Sequence, residues 1–391
     1  MAIPKLAFRN LIGGGTKTWL NALVLSFAFV TIIWGQSLFE GLDKQASKVM
    51  IDMEAGGGQY WATGYDPYDA FTLLDAHRVL DGTVKTQVDE GRAAPILIIQ
   101  GTIYPGGRMQ SALLKGIDPG QGVLSFPSSL LKTQDHEISA LIGARMAKST
   151  GLGKGDIVTV RWRDVRGTFD AKDIVIVDVF QTQVQSVDLG QIWLPLETLR
   201  AMTGMEGQAT IVVVKKDFGP APAADGWAFK DLDVLLRDLK ALVRTKSIGF
   251  SIFYTTLMLL AMLAIFNTQV ISIWRRRKEI GTLMALGMTR LRVIALFTLE
   301  GTLLSVLAAA VGAVYGIPLL VYMSTHGWAI PSGQADSINL ALGNKLYPTY
   351  TVGLILGTAM AVLIVTTVVS YLPARKIAKL KPTEALRGRL S

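Results

Sequence analysis

The chain has no cysteine. That excludes disulfides, thiol catalysis, Cys-ligated zinc and a lipid anchor on cysteine. Histidine is almost as scarce. His77, His136 and His326 are scattered without metal-ligand spacing, so no metal site is expected. Nucleotide-binding and hydrolase signatures are missing too. GGGTKT at 13–18 does not satisfy the phosphate-loop pattern and precedes an apolar run rather than following a strand. GLGKGD at 151–156 fails at the Ser/Thr position and reads as a turn between helix and strand. There is no H-E-x-x-H and no G-x-S-x-G, and the acidic residues read as solvated surface. No catalytic residue and no cofactor are expected in this chain.

Charge is nearly absent from four long stretches, 18–39, 247–274, 292–323 and 348–373. Each exceeds the roughly 20 residues that cross a hydrocarbon core of about 30 Å. They account for a chain of 391 residues that is 50% hydrophobic, with a mean hydropathy of +0.38. The first stretch is too long for a signal-peptide core and no small-x-small cleavage site follows it, so an uncleaved anchor is expected.

Where charge is present, its sign is uneven. Segments 1–17, 275–300 and 374–391 hold fifteen Lys and Arg against Glu279, Glu300 and Glu384. Their net +12, set against +9 for the whole chain, leaves −3 for everything else. Lys and Arg collect on the cytoplasmic side of membranes. The head (1–17), the central link (275–291) and the tail (374–391) are therefore placed in the cytoplasm, with both termini. Residues 40–246 and the loop 324–347 fall outside. The positive charge is a topology signal, not a nucleic-acid footprint.

Residues 40–246 are long enough for an ordinary core without disulfides. Span one is expected to continue as helix until Gly56-Gly57-Gly58 breaks it. Before span two, Leu232, Leu235, Leu236, Leu239, Leu242 and Val243 form a stripe at helical spacing. No Gly or Pro separates the stripe from Ser247, so one helix running into span two is the simplest reading; a surface helix hinged at 245–247 is the alternative. Two such helices would make a stalk. Between them, APILIIQG, DIVTVRW, DIVIVDVF and ATIVVVKK read as strands. Helices are predicted at 69–80, 139–150 and 196–203, which makes this region α+β. GPAPAADGW at 219–227 reads as a linker.

Polar and small residues inside the spans call for partners. Gly312 with Gly316, and Gly353 with Gly357, make two GxxxG pairs suited to close helix contact. Glu300 lies about two turns into span three, where an unpaired carboxylate costs a few kcal/mol. It is expected to face the central link or another span, or to be protonated. Asn267 and Gln269, near the cytoplasmic end of span two, read as interhelical hydrogen-bond partners.

The central link WRRRKEIGTLMALGMTRLR carries the most information. Ile280, Leu283, Met284 and Gly287 recur at i, i+3, i+4 and i+7 behind Glu279, one face of a short amphipathic helix. Such a helix could press an apolar ridge into a soluble partner or lie on lipid.

RRRKEIGTLMALGMTRLRVIALFTLEG resembles the coupling-helix segment of the FtsX/MacB-type (type VII) ABC transporter permeases. LPARKIAKLKPTEALR at 372–387 resembles that family's tail. LIGARMAKSTGLGKGDIVTV at 141–160 and QIWLPLETLRAMTG at 191–204 resemble its extracytoplasmic domain. The resemblance implies an integral membrane α-helical protein of four transmembrane helices, with a large α+β extracytoplasmic domain inserted between helices one and two. It implies docking of the central link on a separate ATP-binding subunit, which would hold ATP and magnesium. It also implies pairing with a second permease copy or paralogue, in a bacterial inner membrane. Size and order resemble most the lipoprotein-releasing LolC/LolE-like group. Two alternatives stay open: MacB-like efflux of peptides or drugs with a periplasmic adaptor, and FtsX-like signalling to a cell-wall hydrolase. In the lipoprotein-extracting members the client enters between spans one and two of opposing subunits; the apolar span one here (Leu23, Val24, Leu25, Phe27, Phe29, Ile32, Ile33) suits that role and suits plain lipid contact equally well.

Overall fold

The computed structural model describes residues 3–132, 137–182, 185–219, 221–329 and 345–377. His136, the outer-loop residues 330–344 and the tail beyond 377, with Lys379, Lys381, Glu384, Arg387 and Arg389, lie outside the described residues. In chain order the helices are α1 (Ile3–Gly13), α2 (Thr16–Met50), α3 (Gly82–Asp89), α4 (Ala144–Thr150), α5 (Gln185–Asp188) and α6 (Leu196–Thr203). They continue with α7 (Leu232–Leu235), α8 (Arg237–Arg275), α9 (Arg277–Ala285), α10 (Arg290–His326) and α11 (Val352–Ile377). The strands used below are β1 (Gln59–Ala62), β2 (Arg78–Val79), β3 (Ala93–Ile103), β4 (Gln110–Ile117), β5 (Ile138–Gly143) and β6 (Ile157–Arg163). To these are added β7 (Phe169–Phe180), β8 (Gln191–Pro195), β9 (Gln208–Ala209), β10 (Ile211–Val214) and β11 (Trp227–Lys230).

The chain divides into two compact units, one helical and one built on the sheet. In the helical unit α2, α8, α10 and α11 are long and apolar enough to cross a membrane. Many of their exposed side chains are large and apolar, among them Leu23, Phe27, Ile252, Leu259, Leu263, Ile317, Val321, Leu356 and Ile364. Lipid tails are as apolar as leucine, so helices in a bilayer associate through close packing and polar contacts. Both occur here. A Cβ on Gly316 would lie 2.7 Å from the Val30 side chain, and one on Gly312 3.4 Å from Ser26 and Val30, so this GxxxG pair lets α10 lie against α2. Thr302 and Thr367 hydroxyls meet at 3.0 Å between α10 and α11, and Thr268 donates to Asn21 at 3.3 Å between α8 and α2. Leu11, Leu25, Ile265, Leu304, Ala308, Val362 and Val369 fill the centre. Within span one, Leu25, Ile32 and Ile33 face this centre while Leu23, Val24 and Phe27 face out.

The sheet unit is organised by β3, whose continuous apolar sequence is buried on both faces, as such runs usually are. The nine strands run β11-β1-β10-β3-β4-β8-β5-β7-β6, and β6 pairs back onto β3 through Gly101↔Trp162 to Ile103↔Val160. Six of the strands thus close a ring. Leu97, Ile99 and Ile103 point into it with Leu114, Ile142, Val160, Trp162, Ile174 and Ile192. The alternate residues Ile96 and Ile98 pack outside it with Trp193, Phe126, Ile211 and Val213. β6 alternates exposed and buried at every residue, as a strand wet on one face must.

Two predicted helices are corrected. Residues 69–80 form a 3-10 turn (Ala70–Leu74) and then β2, which pairs with β9. That pairing and the His77–Gln208 contact at 2.5 Å override local helix-compatible spacing. Residues 139–150 are helical only from Ala144. Ser139–Gly143 is strand, held between β7 and β8. The helix predicted at 196–203 coincides with α6. Span one continues as helix to Met50, then through a π-helical turn (Ile51–Ala55) to Gly56 at φ 59°.

Asp188 caps α4 from a distance, accepting the Arg145 N–H at 3.0 Å beside the Arg145 guanidinium at 3.5 Å. Burial pushes its carboxyl above the usual carboxylate range, with the Arg145 contacts pulling the other way. A carboxyl raised on folding favours the fold below its unfolded pKa, and that benefit is lost as pH rises through the folded value. At neutral pH its charge is therefore a cost. Asp188→Asn keeps an acceptor without the charge, so it should raise the thermal midpoint at neutral pH and lose that advantage in acid. Asp188→Ala leaves a helix N–H unpaired and should lower the midpoint at both. An Asn variant less stable at neutral pH than in acid, relative to wild type, would refute this assignment.

Candidate coupling segment

The link between α8 and α10 is organised by one side chain. Arg276, at φ −95° and ψ 13°, interrupts the helix and stands in the N-cap position of α9. Its Nε donates to Glu279 at 2.9 Å, and its Nη1 donates to Glu300 at 3.1 Å. The guanidinium also stacks over Phe297 at 5.4 Å. Arg276 thereby joins the end of α8, the first turn of α9 and the body of α10. Glu300, 9% exposed, faces the link, one of the orientations expected from its position. At the other end of α9, Gly287 sits at φ +94°, and the Gly287 and Met288 N–H groups donate to Met284 and Leu283. That backbone conformation suits glycine and turns the chain into α10.

The predicted docking ridge needs correction. Ile280 is 2% exposed and packs on Ile273, Val293, Phe297 and Ala374, with Met284 partly buried against the same cluster. Leu283 is half-buried, and Gly287 is exposed. Helical spacing identified an apolar face correctly, but that face is largely covered by the protein's own α8, α10 and α11. The apolar side chains turned to the outside of the link are Leu286 and Leu291, 80% and 78% exposed. Sequence periodicity missed them because they lie off the main stripe.

Behind Glu300 lies a buried polar layer. A Cβ on Gly301 would lie 1.9 Å from Ser370 Oγ and 3.1 Å from Gln269 Nε2, so glycine is what lets these three helices meet. Gln269 and Ser370 are buried, whereas Asn267 is exposed on the opposite face of α8. Of the two polar residues noted in span two, Gln269 is thus the one at a helix contact, and Asn267 is not. Gly353 and Gly357 also depart from expectation. A Cβ on either meets nothing within 4 Å, so among the described residues this GxxxG pair packs closely against no helix. It lines a groove of about 350 Å³ between α2, α8 and α11, with Gln36, Tyr254, Met258 and Thr358.

The leucine stripe before span two is not one helix. α7 is a single turn capped by Asp231, Leu236 breaks it at φ −92° and ψ 1°, and α8 starts at Arg237. Leu236 and Val243 are buried, Leu232, Leu235 and Leu239 half-buried, and Leu242 exposed. From Arg237, however, α8 runs uninterrupted through 245–247. At the end of span one's helix, the π-helical turn is fixed to the sheet unit by Glu54–Lys115 at 3.5 Å and by the Asp52–Lys216 pair. Among the described residues no cluster of His, Asp or Glu could hold a metal ion.

Residues 251–382, which include the link and the last three spanning helices, match the family of FtsX-like permease C-terminal domains. An uncharacterised ABC transporter permease of Methanocaldococcus jannaschii is 33% identical over 141 residues, 34% of this chain and 30% of that protein. The macrolide export ATP-binding/permease protein MacB of Chlorobium phaeobacteroides is 23% identical over 97% of this chain and 60% of its own length. MacB of Escherichia coli is 24% identical over 56% of this chain and 34% of its length. The chain thus spans between 30% and 60% of these curated relatives. Among solved structures, the extracellular domain of the ABC-type transporter YknZ from Gram-positive bacteria aligns over 41% of this chain and 83% of its own. Its TM-score is 0.26 at 12% identity, too low to carry an argument. By the match over 251–382 and the relatives on either side of it, the chain carries an FtsX-like permease C-terminal region and is similar to the FtsX/MacB-type ABC transporter permeases.

Proposed function

We propose that this chain is the membrane subunit of an ABC system that works by mechanotransmission. Separate ATP-binding subunits, holding ATP and magnesium, close and push on the link, and the motion passes through the spanning helices to the sheet unit. The observation that carries this reading is Arg276. Because it bonds α9 to α10 at the point where α8 ends, a push on α9 moves both spans. The length of α8 supports it: 39 residues make about 58 Å of helix, against a hydrocarbon core of about 30 Å. The chain would act beside a second copy or paralogue, in a bacterial inner membrane, with both termini cytoplasmic.

For the client, we favour a lipoprotein or another lipid-bearing molecule. The groove between α2, α8 and α11 supports this, since it opens along helices whose exposed faces are apolar and is floored by two unpacked glycines. A specific observation favours a second reading, efflux with a periplasmic adaptor: the alignment to MacB runs over 97% of this chain. Purifying the assembled complex and identifying what accompanies it separates the two, lipidated proteins in one case and an adaptor in the other.

Docking itself is tested at the outward side chains. Burying a leucine contributes about 2 kcal/mol, roughly thirtyfold in affinity. Leu286→Asp or Leu291→Asp should therefore release the ATP-binding subunit or abolish its stimulated turnover, with membrane insertion unchanged. Ile280→Asp should instead reduce the amount of folded permease, because it puts a charge into the protein's own core. Retained assembly and turnover in both leucine variants would mean that the link lies on lipid.

A further inference from the structure

The sheet unit contains a cleft of about 770 Å³ that the coupling mechanism does not use. One wall is α3 with Lys85, Val88 and Asp89, and the floor is the start of β3 at Pro95. The opposite wall is the turn at 118–123 and the first turn of α6. The turn is held rigid by Gln121. Its Oε1 accepts the Val123 and Leu124 N–H groups at 2.8 Å, and its Nε2 donates to Leu124 O and Ser128 Oγ at 3.1 Å.

Two features of the α6 wall await an acceptor. Pro195 stands at the N-cap and offers no side-chain oxygen, so the first turn of α6 has no side-chain cap at its positive dipole end. Helical side chains lean toward the N-terminus, which lays the Arg200 guanidinium over that same turn. Arg200 is 6% exposed. Its Nε donates to Gln208 O at 2.9 Å and its Nη1 to Glu197 at 2.7 Å. Its Nη2 is buried with no partner among the described residues. A buried donor left unpaired is costly and rare, and an arginine fork is matched to a carboxylate or a phosphate.

We propose that this cleft binds the carboxylate of a polypeptide segment. Once Glu197 swings away, the Arg200 guanidinium and the first-turn N–H groups of α6 hold the carboxylate, Lys85 adds charge at the opposite wall, and Val88, Pro95 and Val123 receive the neighbouring apolar side chains. The charge count selects this ligand over phosphate. Lys85 and Arg200 face Asp89, Asp118 and Glu197 in the same cleft, a net charge of −1 that opposes a singly charged carboxylate less than a doubly charged phosphate. Glu197 is largely exposed and free to swing off Arg200 as the ligand arrives. The site stands independently of the transport reading and goes beyond it.

The test uses the full chain in nanodiscs and dye-labelled short apolar peptides, followed by fluorescence anisotropy. One peptide has a free C-terminal carboxylate, one is amidated and neutral, and one is amidated with a single internal Glu. We expect a carboxylate-bearing peptide to bind roughly tenfold tighter than the neutral one; whether the free terminus or the Glu does so assigns the source. Arg200→Gln should remove that preference, with the thermal midpoint measured as a check on folding. Thr198→Pro, which deletes one first-turn N–H at a position where helices tolerate proline, should weaken carboxylate binding while leaving the neutral peptide unaffected. Equal binding of all three peptides would overturn the proposal. So would displacement of the free-acid peptide by inorganic phosphate at a lower concentration than by acetate.

Discussion

Replacing Glu300 by Leu while Arg276 remains should destabilise the helical unit by about 2–4 kcal/mol. Breaking a fully buried pair from one side costs about 3–5 kcal/mol, because a charge is left without its partner. The value here falls lower, since the Arg276 side chain is 24% exposed and keeps Glu279 as a second acceptor. Replacing both residues, Arg276→Met with Glu300→Leu, should recover most of the loss, because two apolar side chains of similar bulk need no solvation. Phe297, over which the guanidinium lies, would pack on the methionine instead. Denaturant unfolding in micelles, run as a double-mutant cycle, reads the coupling directly. A double variant as unstable as the sum of the singles would show that Arg276 and Glu300 do not act as a pair. The same cycle bears on function. If Arg276 transmits motion from α9 to α10, the double variant should be stable yet uncoupled, hydrolysing ATP through its partner without moving the client.

Arg276 also shows where the sequence stops being informative. Four nearly uncharged stretches betray the spans, because only a membrane or a very large core can solvate them. Glu300 within one of them announced the need for a partner, but four basic residues, Arg275 to Lys278, stood equally near in sequence. Only the interruption of the helix at Arg276 selects among them. The ridge Ile280–Met284 was legible as a face and illegible as to what covers it, since periodicity reports amphipathicity without naming the partner. In the sheet unit, α6 and the apolar strand β3 could be read locally. The closure of β6 onto β3 could not, because it joins residues some sixty positions apart. Ser139–Gly143 is a short apolar run, for which strand and helix cannot be separated by spacing alone. Its neighbours β7 and β8 decide it. The Arg200 cleft was missed for a related reason. An arginine in an amphipathic helix reads as surface until tertiary packing buries it.

Inserting Gly-Gly-Gly after Arg244 should abolish client release while ATP hydrolysis and assembly persist. Position 244 lies inside α8, beyond the Leu236 break and ahead of the uncharged segment that begins at Ser247. Glycine costs about 1 kcal/mol per residue in a helix interior, so three together turn a continuous lever into a flexible joint. The chain already has one natural interruption of the helix, at Leu236. Its neighbourhood is tied by the Asp233–Lys240 pair at 2.9 Å and by the Tyr68 hydroxyl on Asp238, which also raises that phenol's pKa. The contacts of α9 with α8, α10 and α11 are untouched, which is why binding and hydrolysis by the ATP-binding subunit should stay at wild-type levels. Inserting Ala-Ala-Ala at the same point preserves helicity but turns one end of α8 against the other by roughly 300° and lengthens it by about 4.5 Å. It therefore tests phase separately from stiffness. Loss of function with both insertions means that the helix must be stiff and correctly phased, and loss with glycine alone means that stiffness suffices. If the glycine variant releases its client as well as wild type, α8 is only a tether and force does not travel through it.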